Sequence, residues 1–457
     1  MIKSLYYYAL TKFSQIFFSF FSIHLLTNSL SLSEYGQLDI FLVTISLLGI
    51  VLNLGISSAI NRELNLFDRK IEDVLTNSLL FFIKVIFISF IIYFINDKFH
   101  YIENSYLILL LVVTIVNVVQ GYFVSIIRAT NKAKLFFMIT FLQQLMYVSL
   151  LYFYKNDITV IKVLYIVLAH TFMSLVLYAF YFRKNLIGKF NKDIYKSLSY
   201  YGLPLVLGGF AEFIFNSSDK YMINYFLDKE SVALYSLNYK IGAMLMMAVG
   251  IFQMIWPRYM YRIYKNHKNY NKLYKIVFNI YAFIVMNLAL FLVVWRKYII
   301  LILSNNNYLA ANNIVIIIAS GIIFYGFHYI VNVGIHISGK SHIMTSIIIV
   351  VGIINIGLNY IFIPIYGYEA AAFTTIISMF FIFGSVWYFA NRLVPITYDF
   401  KKIFLVYMIY CLIAGMFYFY EFSILEGILF SIIFLVVSGG VLLNKQDFQV
   451  VKVLNNE

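Results

Sequence analysis

Long apolar runs recur along the whole chain and are separated by short polar stretches. A hydrocarbon core of about 30 Å requires about 20 apolar residues of helix, and fourteen of these runs are long enough to cross it. Each is predicted to be an α-helix, because lipid-exposed irregular backbone is unstable in a membrane. The weak ten-residue alternation of membrane β-strands is absent. These runs, numbered spans 1 to 14, are predicted at residues 8–30, 37–60, 77–95, 106–127, 135–154, 161–181, 203–226, 232–256, 274–295, 310–336, 343–363, 367–389, 403–420 and 424–443.

The composition also indicates a membrane environment. Of the 457 residues, 62% are hydrophobic and 12% are charged, which leaves too much apolar surface for one aqueous core to bury. The predicted fold class is therefore an all-α polytopic membrane protein. The single cysteine, Cys411, lies in span 13, so an intramolecular disulfide is excluded.

The basic residues concentrate on alternate loops. With the N-terminus in the cytosol, 25 of the 34 Lys and Arg fall on the inner side and six on the outer side, while Lys84, Lys220 and Lys240 lie within spans. This bias predicts that both termini are cytosolic. The net charge of +14 then reflects topology and attracts anionic membrane lipids secondarily. No nucleic-acid partner is expected.

Two parts of the chain resemble each other. Residues 30–38 after span 1 align with residues 227–235 after span 7 at an offset of 197. Since six spans separate the copies, the repeats are parallel and related by a pseudo-twofold axis along the membrane normal. The prediction is an N-terminal lobe of spans 1–6 (1–182), a cytosolic loop and interfacial elbow (183–202), a C-terminal lobe of spans 7–12 that Pro204 opens (203–390), and spans 13 and 14 with a cytosolic tail (391–457).

Ionisable side chains at membrane depth are costly and usually functional. Lys84 lies about two turns into span 3, where a lysine that snorkels to the interface is the alternative to a functional one. His24, in the outer half of span 1, is expected to line a cavity or to bond a neighbour.

Span 7 carries a polar stripe. Glu212, Asn216 and Asp219 share one face through their i, i+4, i+7 spacing, so this face should meet protein or water. Asp219 is predicted to pair with Lys220 or with Lys240 of span 8. The lysine left over is then the better candidate for a ligand contact.

Neutral polar residues form further stripes. In span 10, His328, Asn332 and His336 follow at i, i+4, i+8, but no acidic or further His partner is adjacent, so a metal site is not expected. A polar seam between helices or a cavity lining remain as interpretations. Two other stripes are predicted to form helix–helix hydrogen bonds: Asn53, Ser57 and Asn61 in span 2, and Asn355 and Asn359 in span 11.

No enzyme motif is present in the sequence. It contains no nucleophile elbow, Walker A loop, dinucleotide fingerprint or paired metal-ligand motif. Neither catalysis nor a cofactor is therefore expected.

Several motifs follow one another in an informative order. Pro204 leads span 7, the pair Asp219-Lys220 follows, and a turn at Tyr235-Ser236 runs to Lys240. This order resembles the polysaccharide repeat-unit flippases (Wzx type) of the multidrug/oligosaccharidyl-lipid/polysaccharide exporter superfamily, although Ala233 stands where that family usually has Gly. The likeness covers essentially the whole chain and includes two shorter matches, at Ser33-Glu-Tyr-Gly36 and at Gly339-Lys340.

The resemblance implies a substrate and a mechanism. The substrate would be an undecaprenyl-diphosphate-linked oligosaccharide, moved to the outer leaflet of the bacterial cytoplasmic (inner) membrane for O-antigen or capsule synthesis. The lobes would work by alternating access, with membrane lipids and the polysaccharide polymerase and chain-length machinery as partners. By resemblance to fourteen-helix lipid II flippases, spans 13 and 14 would flank a groove for the polyprenyl tail.

The same resemblance assigns expected roles to individual residues. Lys84, Lys220 and Lys240 are the first candidates for phosphate or glycan contacts, with His24 as a further candidate. Glu212 and Asp219 are candidates for ion coupling. At the inner mouth, three residues would guide the headgroup unless they serve only as topology anchors: Arg62, Arg128 and Arg258.

Three other functions stay open. A cation-coupled drug exporter of the same fold predicts a cavity dominated by acids, whereas Glu212 and Asp219 are outnumbered by basic residues at comparable depth. A lipid II flippase has a cationic cavity too. A membrane-bound glycan polymerase would normally carry a large outer loop, but no predicted outer loop exceeds about 14 residues.

Overall fold

The computed structural model of the protein describes residues 2–266 and 269–444. Every regular element in these two stretches is helical, and the α-helices are numbered in chain order. They are α1 Ile2–Ser29, α2 Leu32–Asn53, α3 Ile56–Leu66, α4 Ile71–Leu79, α5 Phe81–Phe99, α6 Asn104–Ala129, α7 Ala133–Phe153, α8 Val160–Tyr181, α9 Lys192–Phe226, α10 Lys229–Gly242, α11 Met246–Asn266, α12 Tyr270–Leu303, α13 Asn313–Val331, α14 Val333–Ile337, α15 Ser341–Tyr366, α16 Tyr368–Leu393, α17 Phe400–Phe419 and α18 Ile424–Leu442.

The prediction of fourteen spans is confirmed. Within the described residues, fourteen helical segments are long and apolar enough to cross a membrane, and each overlaps one predicted span in the same order. Spans 3, 8 and 10 each contain an interruption, which separates α4 from α5, α10 from α11 and α13 from α14. The all-α polytopic fold class is therefore confirmed.

Span 2 ends earlier than predicted. Helix α2 stops before Leu54 and Gly55, whose φ angles of 53° and 69° are left-handed, and α3 begins after them. A left-handed residue ends an α-helix, and glycine adopts this backbone most readily. The backbone of Gly202 lies directly against this break, where a Cβ on Gly202 would approach the Leu54 carbonyl oxygen to 2.7 Å. Two chain segments therefore cross here with no side chain between them.

The prediction that Pro204 opens span 7 is wrong. Pro204 lies inside α9, which is continuous for 35 residues, so much of the predicted elbow is the first part of this helix. The fixed φ of proline fits a helix, but the ring removes the hydrogen bond to the Tyr200 carbonyl and crowds that carbonyl.

Helix α4 holds the loop that precedes α9. Thr76 Oγ1 accepts a hydrogen bond from the Gly188 amide at 2.8 Å. Asn77 donates to the Lys189 carbonyl at 3.0 Å and accepts from the Asn191 amide at 3.1 Å. We call this set of contacts the loop latch. It satisfies backbone groups that would otherwise need water, so the loop is fixed to α4.

Contacts divide the chain into two compact units, Met1–Phe213 and Ile214–Glu457. The division falls inside α9, whereas the lobe boundary predicted from the sequence lies ahead of Pro204. In the first unit, α6 packs against α2, α3 and α8, and α7 packs against α1 and α8. This arrangement forms the core of the first unit from spans 1, 2, 4, 5 and 6.

Span 10 forms the interior of the second unit. Of the residues in its membrane-spanning stretch, 89% are buried. Helix α13 packs against α10, α12 and α16. The last two helices, α17 and α18, pack on α12, where Asn287 donates to Ser438 Oγ at 3.0 Å. Spans 13 and 14 are thus joined to the second unit by both apolar and polar contacts.

The polar seam predicted in span 11 is confirmed. Asn355 of α15 donates to Ser378 Oγ of α16 at 2.9 Å, and Asn359 accepts from Thr374 of the same helix. Hydrogen bonds of this kind join helices where no water is present. They fix how α15 and α16 lie against each other.

The stripe in span 2 differs from its prediction. Asn53 donates to Ser57 Oγ at 2.8 Å and Asn61 donates to the Ser57 carbonyl at 3.2 Å. The Asn53 bond links α2 to α3 across the break at Leu54 and Gly55, and the Asn61 bond lies within α3. The stripe thus stabilises the break that the sequence pattern did not indicate.

Candidate functional site

The buried carboxylate of Asp219 is the centre of the charged cluster in span 7. Asp219 is only 5% exposed. It accepts a hydrogen bond from the Tyr235 hydroxyl of α10 and another from the Lys220 amide at 2.8 Å. Asp228 caps α10 by accepting from the Ser231 amide at 2.7 Å, and the tight turn there brings α10 back past Asp219. Donated hydrogen bonds offset the cost of burying a carboxylate.

Lys220 and Lys240 are half-buried on these same two helices. Lys240 lies in the last turn of α10, and the short 3₁₀ segment Ala243–Leu245 separates that helix from α11. Transporters commonly bind ligands at such discontinuous helices, where backbone groups are released from helical pairing. The pairing of Asp219 with one of the two lysines stays a prediction.

The predicted stripe in span 7 has two environments. Glu212 and Asn216 are exposed, whereas Asp219 is buried. Glu212 is therefore accessible to solvent or a ligand, whereas the surrounding side chains separate the Asp219 carboxylate from both. The two acidic candidates for ion coupling thus differ in access.

Two cations of the first unit lie against rings on the first part of α9. The Arg62 guanidinium is 4.8 Å from the Tyr201 ring centroid. The Lys84 ammonium is 4.9 Å from the centroid of Phe81 and 5.1 Å from that of Tyr195. These distances are typical of cation–π contacts. Lys84 is exposed beside these rings, so any ligand that it binds would also meet the start of α9.

The remaining first-unit candidates lie elsewhere. His24 is exposed, and its Nδ1 is 3.3 Å from Asn28 Nδ2 one turn later. Arg128, at the end of α6, is exposed with its guanidinium 5.1 Å from the Phe136 ring centroid of α7. Arg258 lies on α11, but its side chain is outside the described residues.

The polar face predicted in span 10 is interrupted, because α13 ends before Asn332 and α14 begins after it. His328 is buried, with its ring centroid 4.6 Å from that of Tyr325 and 3.9 Å from that of Tyr329. Asn332 Nδ2 lies 3.1 Å from His336 Nε2. In the part of the chain that the structure describes, no three His, Cys, Asp or Glu side chains are grouped as metal ligands would be.

Sequence reasoning missed two buried charges. Arg296, counted with the outer loops, is buried and donates to Asn312 Oδ1 at 2.7 Å and to the Phe417 carbonyl at 2.6 Å. Glu63, next to Arg62, is buried and accepts from Ser197 Oγ at 2.5 Å. Both join a helix end to a distant segment. Arg296 lies one residue beyond predicted span 9 and Glu63 lies three residues beyond predicted span 2, and such a position indicates an exposed side chain.

A polar network in the interior of the first unit was missed as well. Gln120 of α6 donates to Gln143 of α7 at 3.2 Å, and Gln143 Nε2 lies 3.2 Å from His170 Nδ1 of α8. The chain of contacts joins three spans. The three residues lie on three different helices, and spacing along one helix gives no sign of a contact with another.

Comparison with a family model decides the family. Residues 1–260 match the model described as polysaccharide biosynthesis protein. The chain belongs to this polysaccharide biosynthesis family. No curated protein matches it.

Solved structures show which fold this family member has. It is similar to lipid II flippase MurJ in an inward closed conformation, with a TM-score of 0.71 and 17% identity over 96% of this chain and 98% of that one. It is also similar to an inward-facing multidrug resistance MATE family transporter of the MOP superfamily, with a TM-score of 0.58 and 12% identity over 82% of this chain and 93% of that one. For a MOP superfamily transporter from Pyrococcus furiosus the TM-score is 0.57 and the identity 13%, over 84% of this chain and 92% of that one. These likenesses show that the chain shares the fold of these transporters, and the superfamily and its repeat-unit branch stay predictions.

Proposed function

We propose that this chain is a flippase for undecaprenyl-diphosphate-linked oligosaccharide repeat units. It would move them from the inner to the outer leaflet of a bacterial cytoplasmic membrane, with both of its own termini in the cytosol, for a surface polysaccharide such as O-antigen or capsule. Family membership supports a role in polysaccharide biosynthesis, and the transporter fold supports translocation and not catalysis.

One observation carries the proposal. Lys220 and Lys240 are half-buried on the two helices that meet at the bond between Asp219 and Tyr235. A diphosphate is anionic, and its passage through a membrane requires cationic donors in a polar cavity. Lysines at membrane depth supply such donors, and α10 ends at Gly242, two residues after Lys240.

The mechanism follows alternating access between the two halves. In the inward-open state, arginines at the predicted inner mouth attract the headgroup, and the lysines at membrane depth then hold the diphosphate. The glycan occupies the polar cavity until the halves reorient outward. The roles are headgroup guidance for Arg62, Arg128 and Arg258, diphosphate or glycan contact for Lys84, Lys220 and Lys240, and cavity lining for His24. The product would pass to the polysaccharide polymerase and chain-length machinery.

Ion coupling is a separate part of the proposal. Glu212 is exposed and Asp219 is buried beside Tyr235, so protonation or sodium binding would change the charge of an exposed carboxylate or of the buried one that precedes Lys220. Transport into vesicles should therefore fall when proton and sodium gradients are collapsed. Transport that continues unchanged would remove both carboxylates from this role.

The experiment that tests the function compares the leaflet distribution of lipid-diphosphate-linked repeat units in cells with and without the gene. Without it, repeat units should accumulate on the cytosolic side. Wild-type protein and the control Lys98→Ala/Lys155→Ala, which alters predicted outer-side lysines, should relieve the accumulation. Lys220→Ala/Lys240→Ala, expressed to the same level, should not. An unchanged distribution without the gene would refute the proposal.

A lipid II flippase is the second candidate. It is favoured by the match to MurJ, which covers 96% of this chain, whereas the MATE transporter match covers 82%. Expression of this chain in cells depleted of their own lipid II flippase separates the two candidates. Restored growth favours lipid II as substrate, and failure at verified expression favours the repeat unit.

A further inference from the structure

Two cavities lie on either side of the first turns of α7 in the first unit. One, of about 390 Å³, lies between the start of α7 and the end of α8. The other, of about 420 Å³, lies between α7 and the start of α1. Leu135 and Met138 line both cavities, so together they form one surface around this end of α7.

The floor of the cavity between α7 and α8 is apolar. Leu135, Met138 and Leu142 line it from α7 at i, i+3 and i+7, and Leu177 lines it from α8. Met138 is 50% exposed and Leu142 45% exposed, so the floor is open along its length. Seven residues of helix give it a length of about 10 Å. An acyl chain that lies along α7 fits such a floor.

The rim of the surface is basic. Arg183 and Lys184 line the cavity between α7 and α8, and Lys132 and Lys134 line its neighbour, while no acidic residue lines either one. The Arg183 guanidinium is 4.6 Å from the Phe180 ring centroid. This contact holds the charge at the end of the apolar floor, where a lipid phosphate would lie.

We propose that the cavity between α7 and α8 binds an anionic phospholipid. The phosphate contacts Arg183 and Lys184, and one acyl chain lies along Leu135, Met138 and Leu142. An apolar groove alone would accept any lipid, but the basic rim without a facing carboxylate favours a net negative headgroup. Both basic residues follow span 6 on its predicted cytosolic side, which places the lipid in the inner leaflet. The site is independent of the proposed cargo.

The test titrates the purified full-length protein with phosphatidylglycerol or phosphatidylcholine of identical acyl chains and counts bound lipid by native mass spectrometry. Phosphatidylglycerol should bind more tightly. In Arg183→Gln/Lys184→Gln its affinity should fall roughly tenfold or more, because each basic residue near a membrane surface contributes about 1 kcal/mol. The control Arg69→Gln/Lys70→Gln removes the same charge from the exposed loop between α3 and α4 and should bind as wild type.

A second variant tests the apolar floor. Leu142→Trp narrows the groove and should weaken both lipids, whereas the double glutamine variant should weaken phosphatidylglycerol much more than phosphatidylcholine. Inorganic phosphate at millimolar concentration should not displace the lipid. Equal affinity for the two lipids, equal loss in the control variant, or displacement by free phosphate would each overturn the proposal.

Discussion

Arg296 is 4% exposed, although its position after a predicted span assigns it to an outer loop. Helix α12 continues to Leu303 because the residues after Lys297 are apolar again. The guanidinium is then inside the second unit, where Asn312 and the carbonyls of Val293 and Phe417 accept its hydrogen bonds. Spacing alone could not show this, because the acceptors come from three separate segments.

Replacement of Arg296 should destabilise the second unit. Arg296→Met leaves the acceptors on Asn312 and Phe417 without their donor, and each such loss costs about 1–3 kcal/mol. We expect a clearly lowered thermal unfolding midpoint in detergent, with Arg296→Lys between the variant and wild type. The neighbouring Lys297→Met, which breaks an exposed pair with Glu421, should change the midpoint little. Equal midpoints for Arg296→Met and Lys297→Met would contradict the role of Arg296.

The bond between Tyr235 and Asp219 should appear as a coupling energy. Tyr235→Phe and Asp219→Asn each remove part of the same buried contact, so their effects on the free energy of unfolding should not add. A double-mutant cycle should give a coupling of about 0.5–3 kcal/mol. Tyr225 is an exposed residue of the same helix as Asp219. A control cycle that pairs Tyr225→Phe with Asp219→Asn should therefore give no coupling energy. Additive effects of Tyr235→Phe and Asp219→Asn would show that the contact is not formed.

At the scale of elements, the sequence predicted where helices lie better than where they break. Apolar length located every span, because bilayer thickness sets it. The breaks depend on other features: Leu54 and Gly55 interrupt span 2 because Gly202 packs there, and Pro204 fails to end α9 because the start of that helix is held by other segments. Such long-range contacts have no local pattern in the chain.

The crossing of Gly55 and Gly202 should tolerate no side chain. In Gly202→Ala the new Cβ would lie 2.7 Å from the Leu54 carbonyl oxygen, an overlap that should cost about 1–3 kcal/mol. Gly208→Ala is the matched control on the same helix, since nothing lies within 4 Å of its Cβ and alanine favours helix. The thermal unfolding midpoint of Gly208→Ala should equal or exceed that of wild type, and the midpoint of Gly202→Ala should be lower. The reverse order would refute the crossing.

The loop latch should be visible in hydrogen exchange. The amides of Gly188 and Asn191 donate to Thr76 and Asn77, so they should exchange slowly for a loop. In Asn77→Ala the Asn191 amide should exchange faster, while amides within α7 keep their wild-type rate. Fast exchange of both loop amides in the wild type would show that the loop is free.

At the scale of the whole chain, the family and the number of spans agree with what hydrophobicity and motif order predicted. The orientation in the membrane rests on charge alone, through the 25 basic residues assigned to the inner side. The candidate site was predicted only in part. Lys220, Lys240 and Asp219 do lie on helices joined by a direct bond, but its donor, Tyr235, was seen only as part of a motif. Spacing along one helix does not show which face the next helix turns toward it, so the contact between Tyr235 and Asp219 could not be predicted.

Orientation can be tested with single cysteines. In a Cys411→Ser background, Lys184→Cys should react with a membrane-impermeant maleimide only after the cells are opened, and Lys155→Cys should react in intact cells. Both positions are exposed, so access to the reagent depends on side alone. The opposite labelling would invert the proposed topology and, with it, the inner mouth.

The most direct test of translocation uses purified protein in vesicles that carry a lipid-diphosphate-linked oligosaccharide in one leaflet. The fraction of glycan that becomes accessible to an added glycosidase reports translocation. Wild type and Lys98→Ala/Lys155→Ala should translocate the lipid at equal rates, and Lys220→Ala/Lys240→Ala should fall at least about tenfold, as expected for the loss of charge-assisted contacts to a diphosphate. If vesicles with wild-type protein translocate the lipid no faster than empty vesicles, this protein is not a flippase for it.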